Sequence, residues 1–379
     1  MKKLKHVLAA AGLVLAGVGL AQAQITVGVT VSATGPAASL GIPERNTVAL
    51  MPTSIAGQTV KYIVLDDATD PTAAARNVAK LTSEEKVDVI IGSSTVPTTL
   101  AAAREAREAK TPILTMVPIR IAPDDLPWAF TTPQQVVVMA TAVVQHMRAN
   151  GVKTMGYIGF NDPYGEDWYN TLKGLADAAG IKVVANERFN RADTSVVGQA
   201  LKIVSAQPDA VFIGASGTPS VLPQTTLVER GYKGRVYQSH GSANRDVIRV
   251  GGKAMERTVL PVGPVLVAEQ LPDDNASKKP ALAYLKLYEG AHGPQSRSGF
   301  GAHAWDAFLL IQNAVPEALK KAKPGTPEFR EAMREALERT RDLPATHGVF
   351  NMTAQDHFGL DQRGRVLVEI VNGEWKLVK

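Results

Sequence analysis

A rhythm in the chain constrains its fold more than any other feature. Short runs rich in β-branched residues, at 25–31, 60–65, 87–91 and 113–117, alternate with alanine-rich stretches of helical period at 71–81 and 100–109. Strands separated by helices need crossover connections, so they pair in parallel and bury both faces. Asp70 and Pro71 mark one helix start, as an N-cap and a first-turn proline. After a break at 128–133 the rhythm restarts, with strands expected at 155–160, 182–188, 210–213 and 235–238. Helices are expected at 135–150, 167–179, 195–205, 219–230 and 244–250. A long helix at 298–315 should close near Pro316, an amphipathic one should span 327–340, and 366–378 alternates like a hairpin around Asn372 and Gly373. Two α/β units are therefore expected, in line with 379 residues, more than one core usually supports. In doubly wound sheets ligands bind beyond the carboxyl ends of the strands, so two such units facing each other make a cleft there.

The first 23 residues read as a signal peptide. A basic start (Lys2, Lys3, Lys5) precedes an apolar stretch at 7–20 and the small-residue box Ala21-Gln22-Ala23, after which cleavage is expected. The stretch falls short of the roughly 20 residues that span a bilayer. With no cysteine in the chain, lipidation at a new N-terminal cysteine, disulfides, thiolate metal sites and cysteine nucleophiles are all excluded. Removing the three signal lysines takes the 41 basic residues to 38 against 36 acidic ones, a balance of about +2. No basic run interleaved with aromatics appears, so a nucleic-acid partner is set aside.

Common catalytic signatures are missing: no phosphate loop, no His-Glu-x-x-His, and only a mis-spaced likeness of a nucleophile elbow at Gly214-Ala215-Ser216-Gly217. Asp66, Asp67 and Asp70 follow a strand and enter a helix, where acidic residues favour the dipole, so they read as structural rather than as a cation site. The seven histidines lack ligand spacing; His303 and Asp306, three apart, are expected to pair on one helix face. Neither a metal, a cofactor nor an enzyme is supported. The stronger signal is hydroxyls after the third strand, at Ser93, Ser94, Thr95, Thr98 and Thr99. One helix needs one cap, and the surplus points to a carboxylate held at a helix start.

Several motifs, in order, carry a family likeness: Ala33-Thr34-Gly35-Pro36, Asp66-Asp67 with Asp70-Pro71, Val87 to Gly92, and Tyr164-Gly165-Glu166. From about Gln24 onward the chain resembles the branched-chain amino-acid-binding proteins of ABC importers. The resemblance implies the type I periplasmic-binding fold: two doubly wound parallel-sheet lobes joined by a hinge, here 24–143 with 262–350 and 144–261 with 351–379. It also implies a periplasmic, monomeric receptor working with permease and ATPase subunits of the inner membrane. Ligand contacts are then expected from Ser93, Ser94, Thr98 or Thr99, from the segment 115–121 including Thr115 and Met116, and from Tyr164.

The departure from that family is informative. Where amino-acid-binding members carry a glutamate that accepts the ligand ammonium, this chain reads Ser239-His240-Gly241-Ser242-Ala243-Asn244. A neutral imidazole cannot balance an ammonium in a desolvated cleft, whereas it can exchange hydrogen bonds with a phenol, carbonyl or carboxylate. Together with Ser216 and Gly217-Thr218-Pro219, this segment looks like the subgroup that binds aromatic acids. Leu40, Met116, Tyr164 and Phe300 would then supply apolar walls. Arg120 could reach a ligand carboxylate or pair at the surface with Asp124 or Asp125. The expected function is capture of a small organic acid, aromatic above all, for an ABC importer. The alternatives are an aliphatic amino-acid receptor, a periplasmic sensor subunit and a secreted hydrolase using His240 or His303.

Overall fold

The computed structural model describes residues 24–120, 124 and 126–378; residues 1–23, where a signal peptide is expected, Ile121 and Asp125 lie outside the described residues. Two α/β lobes face each other. The first is built on a sheet of β1 (Ile25–Val31), β2 (Ser54–Ile55), β3 (Gln58–Asp66), β4 (Val89–Gly92), β5 (Ile113–Thr115) and β6 (Ala129–Thr131), in the order β2-β3-β1-β4-β5-β6. All its pairings are parallel except the β2 to β3 hairpin. β4 is Val-Ile-Ile-Gly and wholly buried, as a strand covered on both faces must be. The connecting helices are α1 (Ala38–Val48), α2 (Pro71–Ser83) and α3 (Val96–Glu108). Asp70 caps α2 by accepting from the Ala73 N–H at 2.6 Å. Thr95 and Thr98 form a reciprocal capping box on α3, which therefore starts four residues earlier than its alanines imply.

After α4 (Val136–Ala149) the second sheet follows, with β7 (Thr154–Phe160), β8 (Lys182–Phe189), β9 (Ala210–Gly214), β10 (Arg235–Gln238) and β11 (Val259–Val262) all parallel. Its helices are α5 (Pro163–Ala178), α6 (Val197–Ser205), α7 (Val221–Glu229) and α8 (Arg245–Gly251). The remaining helices are α9 (Lys278–His292), α10 (Gly299–Leu319) and α11 (Pro327–Glu338), followed by the small hairpin β12 (Leu343–Pro344) and β13 (Val349–Phe350). The terminal hairpin, β14 (Val366–Val371) and β15 (Glu374–Leu377), extends the second sheet antiparallel to β11. The chain thus passes between the sheets three times, after β6, β11 and β13. Among the described residues no helix is long and apolar enough to cross a membrane.

Three details differ from the sequence reading. The lobe boundary at 143 falls inside α4, which packs on α5, β11 and β14 and so goes with the second lobe as a unit. α10 runs through Pro316 instead of closing there. One missing N–H near a helix end forfeits a single bond, and Val315 and Ala318 hold the last turn in the core. α1, β2, β6, β11, α9, β12 and β13 were not anticipated, β6 falling in the 128–133 segment read as a break. α1 has no apolar stripe, because its buried face includes Gly41, Pro43, Glu44 and Thr47.

Candidate ligand-binding site

The carboxyl ends of both sheets converge. Where they meet, Leu40, Ser94, Met116 and Phe300 face Tyr164, Ser216 and His240 across a narrow space. On the first lobe, Asp67 at the end of β3 organises the wall. Its carboxylate accepts from the hydroxyls of Ser93 (2.5 Å), Ser32 (2.6 Å) and Thr30 (3.1 Å) and from the Thr69 N–H (3.1 Å). Asp66 likewise takes backbone N–H groups of Ala33, Thr34 and Ala68. Both aspartates are consumed in bracing the loops after β1 and β3, which agrees with their structural reading.

The hydroxyl-rich loop after β4 divides in two. The Ser93 hydroxyl goes to Asp67, Thr99 Oγ1 accepts the Ser93 N–H at 3.0 Å, and Thr98 is tied to Thr95 at 2.8 Å. Ser93, Thr98 and Thr99 are therefore turned into the fold, and it is Ser94 and Thr95 that line the cavity. Ser94 Oγ accepts from the Ser32 N–H at 2.9 Å and also contacts Glu44, a wholly buried carboxyl on α1. Burial pushes the Glu44 carboxyl well above the usual carboxylate range, and the like charge of Asp67 adds to this.

On the second lobe, Ser239 donates to the Ala215 carbonyl at 2.6 Å and so accepts from the Tyr164 hydroxyl at 2.9 Å. Tyr164, pushed up to about 12 mainly by burial, stays neutral and shows the cavity its ring and an acceptor oxygen. Gly241 permits this arrangement, since a Cβ there would meet the Tyr164 hydroxyl at 2.5 Å and Ser216 Cβ at 2.6 Å. His240 sits against Trp168, with ring centroids 5.5 Å apart. Burial, with His347 nearby, drives it down to about 3, so it is a neutral imidazole at any physiological pH. Arg191, two residues beyond β8, is the cation of the lining. It pairs with Asp162 at 2.8 Å, donates to Ser216 Oγ at 2.9 Å and lies 4.1 Å over the Phe160 ring.

A second, smaller space adjoins the first, sharing His240, Phe300 and His303 and adding Gln134, Gly263 and His347 from the segments around the crossings. His303 stacks on His347 at 3.7 Å and 16°. The expected pairing of His303 with Asp306 does not form. Asp306 instead accepts from the backbone N–H groups of Thr346 (2.9 Å) and His347 (3.1 Å) and pairs with His347 Nδ1 at 2.9 Å, a fuller set of partners than one neighbouring imidazole offers. His303 is held well below its ordinary range by burial and by the other two histidines. His240 Nδ1, His303 Nδ1 and Gln134 Oε1 are buried without a partner among the described residues.

A family model described as periplasmic binding protein matches residues 24–372. The chain belongs to that family. Members of the periplasmic binding protein family bind solutes and are not enzymes, which removes the hydrolase alternative. An extracellular ligand-binding receptor from Rhodopseudomonas palustris is 49% identical, superimposes with a TM-score of 0.93, and is matched over 94% of this chain and 99% of its own. A Leu/Ile/Val-binding protein of Rhizobium johnstonii is 23% identical over 88% of this chain and 89% of its own. A solute-binding protein of an ABC transporter from R. palustris BisB5, in complex with 3,4-dihydroxybenzoic acid, shares the fold at 20% identity and a TM-score of 0.79, over 94% and 96% of the two chains.

Other expected site residues of this binding protein are placed off the cavity. Thr115 Oγ1 stays within the sheet, donating to the Val117 carbonyl at 3.0 Å and to Thr131 at 3.2 Å. The Thr218 N–H donates to Ser39 of the facing lobe at 3.2 Å, a contact between lobes. Arg120 pairs across the lobes with Asp167 at 3.1 Å, not with Asp124, and its side chain is 76% exposed beside a separate surface groove. An exposed pair of this kind contributes about 0–1 kcal/mol. Arg120→Ala is accordingly expected to change affinity by less than about 1 kcal/mol by titration calorimetry, and a larger loss would restore a ligand role to Arg120. Val117 and Pro118 line the cavity as the segment 115–121 implied, whereas Arg191, Pro133 and His303 line it without having been assigned to it. The rule that sites follow strands covers Arg191, but nothing local distinguishes it from other arginines at strand ends.

Proposed function

We propose that this protein is the periplasmic receptor of an ABC importer, exported by a signal peptide cleaved after Ala23, and that its cargo is a small aromatic carboxylate. One observation carries the reading of the cargo. Among the described residues the cavity lining contains a guanidinium, Arg191, and neutral imidazoles at His240 and His303, but no aspartate or glutamate. Such a wall favours an anion and offers nothing to balance an ammonium. The carboxylate is assigned to Ser94, the ring to the space between Leu40, Met116, Phe300 and Tyr164, and a polar ring substituent to the unpartnered nitrogens of His240 and His303. The ligand of the R. palustris BisB5 protein, a dihydroxylated benzoic acid, has this distribution of groups.

The test is a thermal-shift panel on unfolded and refolded protein lacking residues 1–23, which removes any ligand carried from the host. At 100 times its dissociation constant, a cognate ligand adds about 2.7 kcal/mol to stability. Benzoate and 3,4-dihydroxybenzoate are expected to shift the transition, and leucine, isoleucine and valine to leave it in place. A shift with leucine alone would instead support the amino-acid reading that the Rhizobium relative represents. Ser94→Ala is expected to weaken acid binding by about 1.5–3 kcal/mol, the range for a hydrogen bond to a charged group. Equal affinity in a folded Ser94→Ala protein would move the carboxylate elsewhere.

A further inference from the structure

Glu44 is a carboxyl that forms no ion pair among the described residues. It is fully buried, it contacts Ser94 Oγ through Oε2, and its Oε1 has no hydrogen-bond partner among the described residues. The charged group acting on it is Asp67, of like sign, whose carboxylate is tied to Ser32, Thr30 and Ser93. A buried carboxylate so placed is costly, and the carboxyl escapes the cost by keeping its proton.

The position of that proton follows from counting partners. On Oε1 it would be a buried O–H donor with no acceptor, whereas an unpaired carbonyl oxygen is tolerated more readily. On Oε2 it is donated to Ser94 Oγ. A serine oxygen has two lone pairs and one hydrogen. The Ser32 N–H takes one lone pair, and a Glu44 O–H at the Oε2 contact would take the other. The Ser94 hydrogen is then left to the cavity that Ser94 lines. Were Glu44 ionised, Ser94 would have to donate to it, and the cavity would meet an oxygen with no hydrogen to offer an anion.

We infer that Glu44 is a positioning residue, held as a carboxylic acid so that the Ser94 hydroxyl donates to the ligand carboxylate. This rests on the reading of Ser94 as a carboxylate contact. It also sets a pH dependence: ligand binding requires the Glu44 proton, so affinity falls as pH rises through the elevated range in which Glu44 ionises. At that point two negative charges would share one hydroxyl.

Two measurements test it. The first needs no ligand: an infrared difference spectrum of wild type against Glu44→Gln at neutral pH should show the carbonyl stretch of a protonated carboxylic acid, and a carboxylate band in its place would overturn the inference. The second is calorimetry with 3,4-dihydroxybenzoate as a function of pH. Glu44→Gln, whose amide also donates to Ser94, should bind within about threefold of wild type and lose the alkaline decline. Glu44→Ala should bind at least about tenfold more weakly, with no further loss when combined with Ser94→Ala. Wild-type affinity in Glu44→Ala, or equal losses in the Gln and Ala variants, would refute the role. If the wild type ignores aromatic acids and takes leucine, the aromatic reading falls, and the same variants titrated with leucine decide the role of Glu44 through its α-carboxylate.

Discussion

His240→Glu is expected to lose about 3–5 kcal/mol in affinity for aromatic acids, which removes measurable binding of all but the tightest ligand. His240 is 7% exposed, packed on Trp168, and edge-on to Tyr164 at 6.2 Å. A glutamate there has no free cationic partner, because Arg191 already pairs with Asp162 and the neighbouring His303 is held neutral by burial. If ionised it would repel an anionic cargo and be desolvated by it. If protonated it would keep a donor but lose the flat ring that closes the wall. The same change supplies the missing counter-charge for an ammonium, so a gain in leucine affinity is expected alongside the loss. Calorimetry on both proteins with 3,4-dihydroxybenzoate and leucine separates the possibilities. Tight leucine binding by the wild type, or unchanged acid binding by the variant, would refute the assignment of His240 as the determinant of ligand class.

Arg191→Met should cost about 2–5 kcal/mol in acid affinity, the range for truncating one partner of a buried, hydrogen-bonded charge pair at an interface. The variant leaves Asp162 without its guanidinium and Ser216 without its donor. The fold should suffer less than the binding, since Asp162 still accepts from the N–H groups of Tyr164 (2.9 Å) and Gly165 (3.1 Å) at the start of α5. Arg191→Lys should recover only part of the affinity, because an ammonium cannot serve Asp162, Ser216 and a ligand with the geometry of a planar fork. A dissociation constant unchanged in Arg191→Met, with the melting temperature lowered, would make Arg191 a structural residue only.

How far the sequence carried depended on the range of the interaction concerned. Strand and helix alternation, Asp70 before Pro71, Thr95 before its alanine-rich helix and the Asn372-Gly373 turn are settled within a few residues, and all of them appear in the structure. From these alone follow two α/β lobes with their strand ends at a cleft, and a histidine in a loop beyond one of them. The elements that were missed lack a local signature. β11 contains Pro261, which argues against an internal strand, yet it lies between β10 and β14 because the terminal hairpin docks beside it.

Tertiary structure decided which side chains the cavity presents. Five hydroxyls between Ser93 and Thr99 are equivalent on paper; Asp67, 26 residues before Ser93, removes one of them from the cavity, and the capping box and the Ser93 N–H engage others. Glu44, 50 residues before Ser94, lies on a helix that shows no apolar face, so nothing local marks it as buried. His240, His303 and His347 lack ligand spacing and nevertheless gather at one end of the cavity, brought there by a strand-end loop, a long helix and the chain near its third crossing. The sequence by itself determined the lobes, their caps and the loops at the cleft, because those depend on near neighbours. The choice among candidate side chains was left to the folded molecule, because a hydroxyl, a carboxyl or an imidazole takes its direction and its proton from partners that only folding brings within reach.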